Sequence, residues 1–174
     1  MNGLEQFLPS DRDTWTWDLA RIPDVPEMVL MAQGHFQNEI TDIFTPDPQR
    51  YAKHLSVAAI EQGFDSSKCQ LICARDNTTH QLLAYAWLNR NYYMTYAPEE
   101  CAEAAFVHMA LDLPRRTRIT LTAQILQQWQ LWCQIWCIPV LISTTIREDQ
   151  QGFLNLHRAA GFSVRGSFAY KRIL

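Results

Sequence analysis

The sequence predicts an α/β domain: a mixed, partly antiparallel sheet flanked by helices, in the order β-α-α-β-β-β-α-β-α-β. Three observations carry this expectation. Apolar residues alternate with period 2 in several short runs and recur at helical spacing in the segments between them. Some runs are joined directly by turn chemistry and others are separated by whole helices, so the connections are mixed and helices should pack on both faces. The length of 174 residues, 48% hydrophobic and 19% charged, suits one compact domain spanning 1–174 with a sizeable core.

Thr14 to Arg21 (TWTWDLAR) alternates aromatic and polar positions and reads as the first strand. Pro23 and Pro26 punctuate the entry to a helix from about Val25 to Ile40. Thr45-Pro46-Asp47-Pro48 is a turn, and a second helix runs from it to about Gln62, closed by Gly63. Cys69–Arg75 (CQLICAR) and Gln81–Asn89 (QLLAYAWLN) flank the turn sequence Asp76–His80 (DNTTH) and form a hairpin. Glu103–Leu113 (EAAFVHMALDL) is a longer strand. Phe106, His108, Ala110 and Asp112 should share one face of it, and Val107, Met109, Leu111 and Leu113 the other. After Pro114 a basic loop, Arg115 to Arg118, leads into a helix that reaches about Cys137. Ile125, Trp129, Trp132 and Trp136 mark its buried stripe. Val140–Thr145 is a mostly apolar strand. A short helix from about Asp149 ends at Gly161, and Ser163–Ile173 closes the sheet with a bend at Gly166.

Composition excludes several classes. The net charge of -3 gives no general attraction to nucleic acid, and the basic clusters, Arg115–Arg118 and Arg165–Arg172, are local. Five cysteines follow a polar, acidic start with no signal-peptide pattern, which reads as reduced thiols in a cytoplasmic setting. Cys133 and Cys137, four residues apart, read as buried thiols rather than zinc ligands, and no metal site is expected. No charged residue stands between Arg118 and Arg147, yet Gln124, Gln127, Gln128, Gln130 and Gln134 interrupt the stretch and Pro139 ends its helical part. A buried helix followed by a buried strand fits that pattern better than a membrane span.

Three segments carry a resemblance to a known family. Leu156-His157-Arg158-Ala159-Ala160-Gly161-Phe162, Ala102-Glu103-Ala104-Ala105-Phe106-Val107 and Pro114-Arg115-Arg116-Thr117-Arg118-Ile119-Thr120 stand in the order and places of the late helix, the catalytic strand and the cofactor loop of the GNAT acyltransferases. The chain resembles that superfamily well over Cys69–Leu174, and before that in element order only. The resemblance implies transfer of an acetyl group from acetyl-coenzyme A to an amine of a small molecule or protein. The amine attacks the thioester directly, a base removes its proton and an acid protonates the leaving thiolate. It also implies a cofactor site along Leu111, Leu113, Arg115, Arg116, Thr117, Arg118, Ile119 and Thr120. The sequence departs from the family at that loop, whose glycines let amide groups close on a pyrophosphate. With Arg115 as its leading residue the two small positions hold Arg118 and Thr120. With Arg116 leading they hold Ile119 and Leu121. The arginines could replace the glycines as anion ligands.

Each candidate residue has a plainer reading beside the functional one. Glu103 is the candidate base, or a strand-end carboxylate beside Glu99 and Glu100. His108 relays the proton or acts as base, or is an inward histidine held by a backbone carbonyl. His157 takes the place of the family's acid tyrosine, or covers the Phe162 contact on a helix surface. Tyr170 reads as packing. Arg115, Arg116 and Arg118 bind phosphate, or lie in a solvated turn or contact an acidic partner. Asn91–Tyr96 with the acidic loop after it lines an amine cleft, or packs as a lid. Tryptophans that protrude would anchor a protein partner or self-association. The alternative function is a GNAT-fold protein without catalysis, serving as a binding or structural component.

Overall fold

The computed structural model describes residues 14–39, 41, 44–93, 97–145 and 151–165. Strand β1 (Trp15–Leu19) is followed by a 3-10 turn at Ile22–Asp24, helices α1 (Val25–Glu39) and α2 (Pro48–Phe64), and strands β2 (Cys69–Asp76), β3 (Leu82–Tyr93) and β4 (Glu100–Met109). Helix α3 (Arg115–Ile135), strand β5 (Val140–Ile142) and helix α4 (Gln151–Ala159) complete the described chain. The sheet order is β1-β2-β3-β4-β5. Neighbours from β1 to β4 pair antiparallel, and β4 pairs parallel with β5. The mixed sheet expected from the sequence is therefore present.

Alternation along the strands sorts the core into two faces. Leu71, Cys73 and Tyr85 pack with Met28, Ala32, Tyr51, Leu55 and Ala58, so α1 and α2 cover one side. Ile72, Ala86, Leu88 and Ala102 pack with Ile125, Leu126, Trp129, Leu156 and Ala160, so α3 and α4 cover the other. Polar side chains pin the layers together. Buried Gln62 donates from Nε2 to the Ala20 carbonyl (2.6 Å) and accepts the Leu71 amide on Oε1 (2.8 Å), which ties α2 to the ends of β1 and β2. On the other face Gln124 Oε1 accepts both indole N–H groups of Trp15 (2.9 Å) and Trp17 (2.7 Å). The aromatic alternation of β1 thus serves to dock that edge strand on α3. Among the described residues no helix is long and apolar enough to cross a membrane.

Helix ends differ from the sequence expectation in three places. Asp47 caps α2 by accepting the Arg50 amide at 2.9 Å, with Pro48 at the first helical position. Gly63 then lies inside α2, which continues to Phe64. Helix α3 begins at Arg115, so the basic segment is its first turn and not a loop before it. Pro114 supplies an extended ψ of 145° immediately before a run of good helix formers. Both α3 and α4 end in the same double hydrogen bond. Ile138 N–H reaches the Cys133 carbonyl and Cys137 N–H the Gln134 carbonyl, and Phe162 and Gly161 repeat this with His157 and Arg158. Gly161 takes the left-handed position of α4 with φ 87°, as expected, and Cys137 takes that of α3 with φ 54°. Cys137 is consequently exposed, whereas Cys133 is buried. Of the closing strand expected at Ser163–Ile173, the described residues, 163–165, are not in strand conformation, and the rest, with Tyr170, lies outside the described residues.

Two stability measurements check this account. Gln62→Leu strands a buried carbonyl and a buried amide, and should lower the unfolding free energy in urea titration by roughly 2–4 kcal/mol. Cys137→Gly removes a left-handed Cβ at an exposed site, and should raise it by about 1 kcal/mol.

Candidate functional site

The site grows from an irregularity in β4. Trp87 pairs with Phe106 and Leu88 with Ala104, so one residue, Ala105, is extra on the β4 side. The bulge switches the faces. Ala102 and Ala104 point toward α3 and α4, but beyond the bulge Phe106 and His108 point toward α1 and α2. Glu103, paired with Asn89, therefore shares a face with Phe106, paired with Trp87, and His108, paired with Tyr85. Without the extra residue the glutamate and the histidine, an odd number of positions apart, would lie on opposite sides of the sheet.

The same strand parts from its parallel neighbour. Pairing of β4 with β5 covers Cys101–Glu103 against Val140–Ile142, and β4 continues through 104–109 paired with β3 but, among the described residues, no longer with β5. A wedge opens with Glu103 and Ile142 at its vertex. Ser143, Thr144 and Thr145 leave along the β5 arm. On the β4 arm the register alternates, and the Ala110 amide bonds Leu83 in β3. The backbone groups of Val107 and Met109 therefore face away from β3, into the wedge. The Met109 carbonyl accepts Nε2–H of buried His35 in α1 at 2.6 Å.

The proposed residues fall in three places. Half-buried Glu103 sits at the vertex. Asn89, its cross-strand partner, also lines a surface groove with Ile60, Glu61, Phe64, Asp65, Lys68 and Arg90. His108 is buried deeper, within 5.1–6.2 Å of the rings of His35, Tyr85, Phe36, Phe106 and Tyr51. The Tyr51 and Tyr85 hydroxyls bond one another there at 2.9 Å, and burial pushes both phenols above their ordinary range. His157 lies across the sheet in α4, 3% exposed. Its Nδ1 is 2.8 Å from the Phe153 carbonyl and its Nε2 is 2.9 Å from Ser143 Oγ, on the β5 arm. Burial lowers its pKa, partly countered by the bond to Phe153. The surface reading of His157 is therefore corrected: the ring is interior and faces the wedge strand. Burial raises the thiols of Cys69, Cys73 and Cys133 to about 11, so these cysteines stay protonated and are poor nucleophiles.

No protein-family model matches the chain, and no curated protein matches it in sequence. Solved structures do match in shape. An aminoglycoside 6'-N-acetyltransferase from Acinetobacter baumannii superposes with TM-score 0.64 at 13% identity, over 91% of this chain and 99% of its own. Glucosamine-6-phosphate N-acetyltransferase from Arabidopsis thaliana gives 0.64 at 9% identity, over 92% and 99%. Ribosomal-protein-alanine N-acetyltransferase from Brucella melitensis gives 0.58 at 12% identity, over 91% and 99%. The chain has the GNAT fold. At these identities the likeness is one of architecture, and chemistry has to be argued from the residues.

Within the GNAT frame the expected cofactor residues separate into surface and core. Arg115, Arg116 and Arg118 are exposed on the first turn of α3, whose amides receive no side-chain cap. Thr117 is half-buried. Leu113 and Ile119 belong to the core instead, packed near Leu121 and Trp129 respectively. Thr120 donates its hydroxyl back to the Arg116 carbonyl at 3.1 Å. Leu111 is exposed and lies over α1, where a Cβ on Gly34 would meet it at 3.3 Å. Strand β4 has ended at Met109, so Ala110–Leu113 do not alternate as a strand would. None of the described residues between β4 and α3 has positive φ, so the missing glycines are not needed for backbone conformation here. Asn91–Tyr96 contribute no described side chains. Reasoning from sequence missed Ser143, His35 and the bulge. The polar Ser-Thr-Thr run directly after an apolar strand was a usable signal for the first.

A pH measurement tests the buried histidine. In the unfolded chain His157 titrates near ~6.5, and in the folded chain lower, so the unfolded state takes up its proton first on acidification. Stability should be full above neutrality and fall as pH drops below that value. His157→Gln should flatten this dependence, read as urea midpoints at acidic and neutral pH.

Proposed function

We propose that the chain binds a coenzyme A thioester in the wedge between β4 and β5 and transfers its acetyl group to an amine arriving from the α1/α2 face. The observation that carries the reading is the parting of the two parallel strands, with a carboxylate at the vertex and outward backbone groups along one arm. When bound, the thioester supplies an activated acetyl carbon. The chain's own residues would do the rest. The outward backbone of Val107 and Met109 can hold an extended amide-bearing arm as a further strand would. Arg115, Arg116 and Arg118, with the uncapped amides of the α3 first turn, fit a pyrophosphate through guanidinium forks where glycines are lacking. Glu103 would take the proton of the attacking ammonium. Phe106, 38% exposed beside Trp87, gives an apolar wall next to that carboxylate for the body of a cationic amine, small or on a protein. His108 serves this face from within, packed against Phe106.

One observation favours a second reading, in which the scaffold binds a partner without catalysis. His35 holds the Met109 carbonyl, an acceptor on the very edge a ligand would use. The two readings separate by calorimetry. Titration with acetyl-coenzyme A should give micromolar binding that weakens at least tenfold in Arg115→Glu/Arg116→Glu. Glu103→Gln should keep binding but lower the rate of acetyl transfer to a panel of primary amines by about 100-fold or more. Absence of binding at high micromolar ligand would favour the scaffold.

A further inference from the structure

We infer that Ser143 is an acyl-accepting nucleophile, with His157 as its base and the Phe153 carbonyl as the group that orients the base. The inference rests on the wedge reading for the natural acyl donor, and on the contacts between α4 and the end of β5 for the chemistry. A carbonyl oxygen can only accept, so the neutral ring of His157 must carry its hydrogen on Nδ1, 2.8 Å from Phe153 O. That leaves the Nε2 lone pair for the Ser143 hydroxyl, 2.9 Å away. A hydroxyl donating to a fixed imidazole, itself oriented by a third group, is the arrangement of an activated serine.

The ring has little freedom to be anything else. Phe153 packs on it at 3.8 Å and Phe162 meets it edge-on at 4.9 Å. Phe162 is delivered there by the left-handed turn at Gly161 that closes α4. With the ring 3% exposed, its desolvation disfavours the imidazolium, so the ring is uncharged at neutral pH. Ser143 is also in the right place. It is the first residue beyond β5, next to the vertex where β4 has lost its parallel partner. Glu103 stands on the opposite face, so the nucleophile and the amine's proton acceptor flank the vertex from two sides.

The chemistry balances without a further reactant. Ser143 Oγ attacks the thioester carbonyl carbon while His157 Nε2 takes the hydroxyl proton. The carbon–sulfur bond breaks, and the departing thiolate leaves with that proton as a thiol. An ester at Ser143 remains. An amine then attacks the ester carbon and gives up a proton, the carbon–Oγ bond breaks, and Oγ is reprotonated through His157. The acyl group has moved from sulfur to nitrogen in two steps.

The test is covalent labelling of the whole chain, read by intact mass and peptide mapping. Two donors are used in parallel: p-nitrophenyl acetate, which needs no cofactor site, and acetyl-coenzyme A. One acetyl group should appear on the peptide bearing Ser143 with both donors. It should be absent in Ser143→Ala and form about 100-fold more slowly in His157→Gln, with circular dichroism checking each fold. Should His157→Gln not fold, the wild-type labelling rate reads the base instead. It should fall on acidification, with a midpoint below the ordinary histidine value of ~6.5 because burial lowers the pKa of the folded ring, and a rate that tracks only hydroxide concentration overturns the inference. No acetyl on Ser143 from either donor overturns it too. If amines are then still acetylated from acetyl-coenzyme A, one-step transfer in the wedge survives. Labelling by p-nitrophenyl acetate alone supports the serine while removing the coenzyme A reading.

Discussion

The extra residue at Ala105 is the constraint on which the rest of the site depends. Side chains in a strand alternate strictly, so an insertion of one residue transfers every later side chain to the other face. In this chain it moves Phe106 and His108 toward α1 and α2 and leaves Ala102 and Ala104 under α3 and α4. A bulge also bends its strand, and β4 separates from β5 just beyond Glu103. One local irregularity thereby produces a gap in a parallel pair, an acid at its apex and an aromatic wall beside the acid.

Around that gap the chain is held by backbone and side-chain hydrogen bonds. The first turn of α3 starts at Arg115 and carries three exposed guanidinium groups. The helix behind it carries no charge beyond Arg118, and two of its glutamines hold fixed partners. Gln124 holds the two β1 indoles, and Gln130 donates to the Ala160 carbonyl at the end of α4 at 2.9 Å. The second of these bonds sets α4 against α3. It therefore bears on where His157 meets Ser143.

Much of the architecture was legible in the residues. The hairpin at Asp76–His80, the buried stripe of Ile125, Trp129 and Trp132, and the left-handed Gly161 with its Phe162 staple all follow from local chemistry. The ends were less legible. Cys137 occupies a position that glycine normally signals, so α3 appeared longer and the thiol buried. Pro114 followed by charged arginines read as a basic loop, although arginine is a good helix former and α3 begins directly after the proline.

The residue pattern by itself determined the order of elements and the two-faced sheet, because periodicity and capping act within a few residues, while the family resemblance singled out Glu103, His108 and His157 as residues to locate. Tertiary structure alone decided which of them meet. The face of Glu103 depends on a bulge whose evidence is the pairing with β3, and Ser143 joins His157 only because β5 and α4 lie side by side. Such contacts link positions distant in the chain, and no local preference encodes them.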